Sequence, residues 1–143
     1  MKKISAIVVN WNGKEVLLDC LESLSKQNYS NLEIIVSDNG SKDGSIEAVQ
    51  AKYPNVRLLE NGGNLGFGPA VNKGLEIASG DYFIFLNNDL YLHPDSLKEL
   101  ASMLDLEPDT GAAIPKILYY EKRNIINSYG VLVHYTSICC PNL

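Results

Sequence analysis

The chain has 143 residues, with 12 Lys and Arg against 17 Asp and Glu and a net charge of −5. Its 45% hydrophobic and 20% charged residues are the balance of one globular domain, and exclude disorder, collagen and coiled coil as whole-chain descriptions. The acidic balance argues against nucleic-acid or broad membrane-surface binding and leaves open an anionic small ligand held by a metal or by backbone N–H groups.

Ile4–Val9 is a short β-branched apolar run and reads as a buried strand. Lys2 and Lys3 before it give the outline of a signal peptide, but the run is too short and polar Asn10, Asn12 and Gly13 follow. Lys14–Gln27 carries Leu17, Leu21 and Leu24 on one helical face. Leu32–Val36 is a second strand, Ser41–Tyr53 a second helix and Val56–Leu59 a third strand. Pro69–Ala78 places Ala70, Val71, Gly74, Leu75 and Ala78 on one side of a third helix, and Tyr82–Leu86 is a fourth strand. Pro94 fits the first turn of a fourth helix with Leu97, Leu100, Ala101 and Leu104 as its stripe. Ala112–Tyr119 reads as a fifth strand, and Ile125–Val133 offers one or two more. Cys20, Cys139 and Cys140 match neither a disulfide framework nor a zinc ligand set and read as small buried hydrophobes of a reduced, cytoplasmic protein. His93 and His134 stand alone: His93, before Pro94, reads as a helix cap or surface-loop residue, and His134 has no partner that the sequence identifies. No apolar run approaches the ~20 residues of a membrane-spanning helix.

This alternation predicts an α/β fold, a mostly parallel sheet covered on both faces by helices. In such sheets ligands bind beyond the carboxyl ends of the strands. Those ends read Asn10-Trp11-Asn12-Gly13, then Ser37-Asp38-Asn39-Gly40-Ser41-Lys42-Asp43-Gly44, then Glu60–Gly68, then Asn87-Asn88-Asp89. Asn, Asp and Gly serve turns and helix caps, yet four such ends on one sheet edge predict a polar ligand crevice. Asp43 is the better helix-capping candidate, whereas Asp38, directly after a strand, can accept hydrogen bonds from a ligand. Trp11 stacks on a ligand ring or packs in the core or at the rim. The glycine-rich run 62–68 precedes a helix but lacks the Gly-Lys-Ser/Thr of a P-loop.

In order and spacing, these segments resemble the inverting family 2 glycosyltransferases, which have the GT-A fold, over about residues 4–118. The resemblance implies an NDP-sugar donor, UDP- or dTDP-linked, and a glycan or lipid-linked acceptor. It places Asn10, Asn12, Asp38, Asn64, Asn72 and Asn88 at the nucleotide-sugar, with Asp38 at the base. It implies a Mg²⁺ or Mn²⁺ ion at Asp89 and Asn87, where the family has Asp-x-Asp. Asn87 lacks the first charge of that motif, and the Asn-Asn-Asp form is similar to a branch that includes rhamnosyltransferases.

An inverting transfer needs a general base for the acceptor hydroxyl, which the family places beyond the metal motif. Asp95, Glu99, Asp105, Glu107, Asp109 and Glu121 follow Asp89, none in the family's context, so the catalytic residue is expected beyond the chain's end. The expectation is therefore one truncated GT-A donor-binding domain, with 1–118 as the nucleotide-sugar core and 119–143 as the start of an incomplete acceptor half. The full-length parent is expected to be cytoplasmic, or peripheral to the membrane. Apolar strand surface around Ile125–Val133 points to a homodimer. The alternative is an inactive nucleotide-sugar-binding module. A phospho-accepting receiver domain is disfavoured because no carboxylate follows the first strand.

Overall fold

The computed structural model describes residues 1–122, 124–129, 131–133 and 139–141. They fall into two compact units, Met1–Asp95 and Ser96–Leu143. The first alternates β1 (Ile4–Asn10), α1 (Lys14–Ser25), β2 (Leu32–Asp38), α2 (Ser45–Lys52), β3 (Arg57–Glu60), α3 (Phe67–Ile77) and β4 (Tyr82–Asn87). The strands form one parallel sheet in the order β3-β2-β1-β4. Asn10 pairs with Asp38, Val9 with Asn87 and Asp38 with Glu60, so the four carboxyl ends finish level.

Right-handed crossovers dictate where the helices go. Strand order steps one way from β1 to β3 and the other way to β4, so α1 and α2 lie on one face and α3 on the other. On the α3 face, Val9 packs with Ala70 and Val71, and Ser37 Oγ donates to Ala70 O at 2.8 Å. Helix and sheet touch closely at Gly74, where an added Cβ would stand 2.6 Å from Ile7 Cγ2. Leu17, Cys20, Leu21, Leu24, Ile35, Val36 and Val49 complete a buried core, each large aliphatic contributing about 1.5–3 kcal/mol of burial. Burial pushes the Cys20 thiol up to about 12, with the negative charge of Asp89 adding to it, so it behaves as a buried hydrophobe.

Three expectations are corrected. The second helix begins at Ser45, not Ser41. Gly44 has φ +80° and Asp43 takes the Ser45 N–H, so residues 41–44 form a loop. The fourth helix, α4 (Ser96–Leu106), begins two residues after Pro94, whose carbonyl accepts Asn28 N–H at 2.7 Å. The third concerns the fifth strand and lies in the second unit. Helices flank the parallel sheet as expected, with α3 over β1 and β2, and Phe83 and Phe85 of β4 are 46% and 47% exposed.

In the second unit, α4 buries Leu97 and Ala101. The expected fifth strand shortens to β5 (Lys116–Leu118) and does not join the parallel sheet. Pro115 before it has no N–H for a ladder, and β5 pairs antiparallel with β6 (Ile126–Tyr129). A second antiparallel pair joins β7 (Val131–Val133) and β8 (Cys139–Pro141). His134 lies outside the described residues. Among the described residues, no helix is long and apolar enough to cross a membrane.

At the amino edge of the parallel sheet, Glu33 ties strands and loops together. Its carboxylate accepts Ser5 Oγ, Ser79 N and Ser79 Oγ and lies 3.2 Å from Lys3 Nζ and 3.4 Å from Arg57 Nη1. Burial raises its pKa, but the hydrogen bonds from Ser5, Ser79 and Lys3 together outweigh that and carry it from the usual 4.5 down to about 2. The native state therefore favours the ionised form, and this stability is complete above pH 4.5 and lost as pH falls towards 2. We predict that Glu33→Gln is less stable than the parent by on the order of 1–3 kcal/mol at pH 7. The difference should shrink in urea titrations between pH 4.5 and 2; a gap independent of pH would rule the assignment out.

Candidate functional site

The strand order reverses between β1 and β4, and the crevice at that switch point is where open α/β sheets bind ligands. The sequence places polar side chains there from three strand ends. Asp38 is 0% exposed. Its Oδ1 accepts Ser41 N at 2.7 Å. Its Oδ2 accepts Ser41 Oγ at 2.7 Å and Asn10 Nδ2 at 2.8 Å. Asn10 is also 0% exposed, and its Oδ1 accepts Asn88 Nδ2 at 2.7 Å. Ser41 Oγ accepts Asn12 N at 2.8 Å, and Asn12 Oδ1 accepts Lys42 N at 2.7 Å. Asn12 has φ +50°, a left-handed conformation that Asn tolerates.

A second amide network links β2, β3 and the start of α3. Asn61 Nδ2 donates to Ser37 Oγ at 2.9 Å and Asn39 Oδ1 at 3.0 Å. Asn39 Nδ2 donates to Asn64 Oδ1 at 3.3 Å and Gly66 O at 3.2 Å. The networks meet where Gly40, at φ +79°, packs on Gly63: a Cβ on Gly40 would stand 2.9 Å from the Gly63 Cα. Only glycine combines that backbone with that closeness.

Four of the residues expected at the site, Asn10, Asn12, Asp38 and Asn88, are thus brought into one network, and Asn64 into the other. Asn72 is exposed on α3 and takes part in neither. Ser41, Asn39, Asn61 and Gly13 were not singled out from the sequence. Ser41 and Asn61 carry an extractable signal, polar residues just past strand ends, whereas the contact between Gly13 and Asn88 is purely tertiary. Trp11 is 56% exposed, which removes core packing as its role. Asn87 and Asp89 are exposed while Asn88 between them turns inward.

Among the described residues no group of three His, Cys, Asp or Glu could hold a metal. One carboxylate and one amide do not make an all-protein cage. They do fit a Mg²⁺-like ion held by one or two carboxylates plus substrate phosphates.

The sequence profile of glycosyl transferase family 2 matches residues 5–131. The chain belongs to that family. This family 2 domain is 37% identical over 114 residues to the uncharacterized glycosyltransferase YibD of Escherichia coli K12, covering 78% of this chain and 33% of that protein. It is 37% identical over 108 residues to the N-acetylglucosaminyl-diphospho-decaprenol L-rhamnosyltransferase of Mycobacterium tuberculosis, covering 68% of this chain and 35% of that protein. Its structure matches the mannosyltransferase PcManGT of Pyrobaculum calidifontis, solved with GDP-Man and Mn²⁺, at TM-score 0.67 and 26% identity, covering 72% of this chain and 32% of that one. The chain thus spans about a third of the length of these relatives. The likeness bears out the GT-A fold and the family resemblance.

Asp38 and Asp43 should separate cleanly on mutation. Asp38→Ala strips the acceptor from three network donors, Asn10 Nδ2, Ser41 N–H and Ser41 O–H, and should cost about 2–3 kcal/mol of folding stability. Asp43→Ala removes an acceptor for Lys14 N and Ser45 N on an exposed side chain and should cost about 1 kcal/mol, as helix-start acceptors do. Chemical denaturation of both variants decides it; equal costs would mean that Asp38 is not the hub.

Proposed function

We propose that this domain binds a nucleoside-diphosphate sugar at the carboxyl edge of the sheet, and that in a complete protein the sugar passes with inversion to a glycan or lipid-linked acceptor, as a step of polysaccharide biosynthesis. The observation that carries this is the convergence at the β1/β4 switch point of the Asn10–Asp38–Ser41 network with the exposed pair Asn87 and Asp89. PcManGT, with its GDP-Man and Mn²⁺, supports a nucleotide-sugar and a divalent ion. The mycobacterial relative, named for a lipid-diphosphate acceptor, supports the lipid-linked class.

The residue roles follow from exposure. In this scheme buried Asp38 and Asn10, which the family resemblance places at the nucleotide-sugar, act by ordering the loop 38–44 against which the nucleoside lies. Exposed Trp11 offers a ring for the base, a UDP or dTDP base in our proposal. Asn12, Asn64 and Asn72 offer amides to ribose, diphosphate or sugar. Asp89, aided by Asn87, holds Mg²⁺ or Mn²⁺, which when bound supplies charge neutralisation for the departing diphosphate. Residues 1–118 form the nucleotide-sugar core in this scheme, and 119–143 begin the acceptor side.

The second reading is a nucleotide-sugar-binding module without transfer. One observation favours it for Met1–Asp95. Asp95, the first acid after the metal turn, accepts Asn28 Nδ2 at 2.8 Å just past the carboxyl end of α1, away from the crevice. It is not placed to deprotonate an acceptor.

Calorimetry with UDP, dTDP and GDP, each with and without Mn²⁺, tests donor binding. One nucleotide should bind selectively and bind more tightly with the ion. Asn87→Asp should strengthen Mn²⁺ affinity by roughly tenfold, because hard cations prefer charged oxygens. Nucleotide binding indifferent to Mn²⁺ in both proteins would remove the metal from the site. Product formation from the selected NDP-sugar with lipid-linked and glycan acceptors then separates a transferase from a binding module.

A further inference from the structure

The inward turn of Asn88 has a seat built for it. Its Nδ2 donates to Asn10 Oδ1 at 2.7 Å, and it occupies the space that a side chain at residue 13 would need. An added Cβ on Gly13 would collide with Asn88 Nδ2 and would stand 3.3 Å from Asn10 Oδ1. Gly13 has φ −126°, outside the left-handed region, so crowding disfavours a side chain here, most of all by the Asn88 amide and less by Val16 Cγ2 and Asn10 Oδ1. The bonds beyond Asn88 run in one direction. Asn88 donates to Asn10, and Asn10 donates to the Asp38 carboxylate. Asn10 cannot flip: its carbonyl would then face the Asp38 oxygens and its NH₂ would face the NH₂ of Asn88. A carboxylate that draws on the Asn10 amide also makes Asn10 Oδ1 a better acceptor for Asn88.

We infer that Asn10, Asn88 and Gly13 are positioning residues that couple the metal turn 87–89 to the nucleoside loop 38–44. Asn88, pinned between two exposed residues, fixes the direction in which Asn87 and Asp89 project. The same amide relay ends on the carboxylate that orders the loop. A nucleotide that settles the loop thereby settles the metal turn, and an ion at the turn settles the loop. Neither Asn10 nor Gly13 touches the donor in this scheme. The inference rests on donor and metal binding at this edge, as proposed above.

The test uses the whole chain and three variants, Gly13→Ala, Asn88→Ala and Asn10→Ala. Two quantities are read by calorimetry, UDP affinity without metal and the factor by which Mn²⁺ tightens it; dTDP replaces UDP if it is the nucleotide that binds. Thermal midpoints report folding. Gly13→Ala is the decisive variant. Its new methyl displaces the end of the Asn88 side chain and presses on Val16 Cγ2 and Asn10 Oδ1, at 3.2 and 3.3 Å, at the N-cap of α1, so the midpoint should fall slightly while the chain stays folded and the Asn88–Asn10 bond is lost. In Gly13→Ala and Asn88→Ala the Mn²⁺ factor should fall about 2- to 10-fold, the range of one hydrogen bond. Metal-free affinity should change by less than about twofold, within a mutation's background scatter. Combining Gly13→Ala with Asn88→Ala should lower the factor no further, since both break one link. Asn10→Ala should lower both quantities, because it also withdraws a donor from Asp38. An unchanged Mn²⁺ factor in folded Gly13→Ala and Asn88→Ala would overturn the coupling and leave donor binding standing. Failure of the unaltered chain to bind any nucleotide, with or without Mn²⁺, would overturn donor binding and the coupling with it.

Discussion

A carboxylate with no access to solvent sits at the end of β2, and the crevice is built around its needs. Asp38 is held by hydrogen bonds from Ser41 N–H, Ser41 O–H and the Asn10 amide. A buried carboxyl group left with fewer donors would cost several kcal/mol. That demand selects the neighbours. Position 10, directly across the β1–β2 register, must offer an N–H from its side chain. Position 41 must return over the strand end with both its backbone and its hydroxyl. Position 40 must make the turn that brings it there, and Gly63 must leave room for that turn.

Around this one charge the crevice is lined with neutral amides. Asn10, Asn12, Asn39, Asn61, Asn64 and Asn88 each bring a donor and an acceptor on a short side chain, so they satisfy one another as well as the backbone. No buried side-chain nitrogen or oxygen among the described residues lacks a partner. In the proposed donor complex, a wall of amides avoids the repulsion that a row of carboxylates would exert on a diphosphate, and Asp89, the exposed carboxylate of the β4 end, is where the proposed cation would neutralise it.

Much of this was legible in the residues. Ile4–Asn10 and Leu32–Asp38 are mostly apolar, without regular polar alternation, because strands covered on both faces need none. Their ends could be located because Asn and Asp interrupt those runs. Direction was not legible. In the turn 87–89 the two-residue period of a strand no longer holds, so nothing local says that Asn88 faces inward and its neighbours outward. The partners of Asn88 are about 75 residues away in sequence. Ser41 looked like the first residue of a helix, and only the left-handed Gly44 moves that start to Ser45. The exposure of Phe83 and Phe85 was hidden for a related reason. Their composition is that of a central strand, and the reach of α3 across the sheet decides otherwise.

The pairing of asparagine with glycine at these strand ends sets a chemical lifetime for the crevice. Asn12, Asn39 and Asn61 each precede a glycine. A following residue without a Cβ offers the least hindrance to attack of its backbone nitrogen on the asparagine side chain, the ring closure that begins deamidation. Asn39 is the consequential one. Its loss of NH₂ would remove the donor to Asn64 and Gly66 and place a second negative charge one residue from Asp38. The hydrogen bonds that immobilise its amide therefore also protect the crevice from ageing, and a slow acidic drift of stored protein on ion exchange would register their loosening.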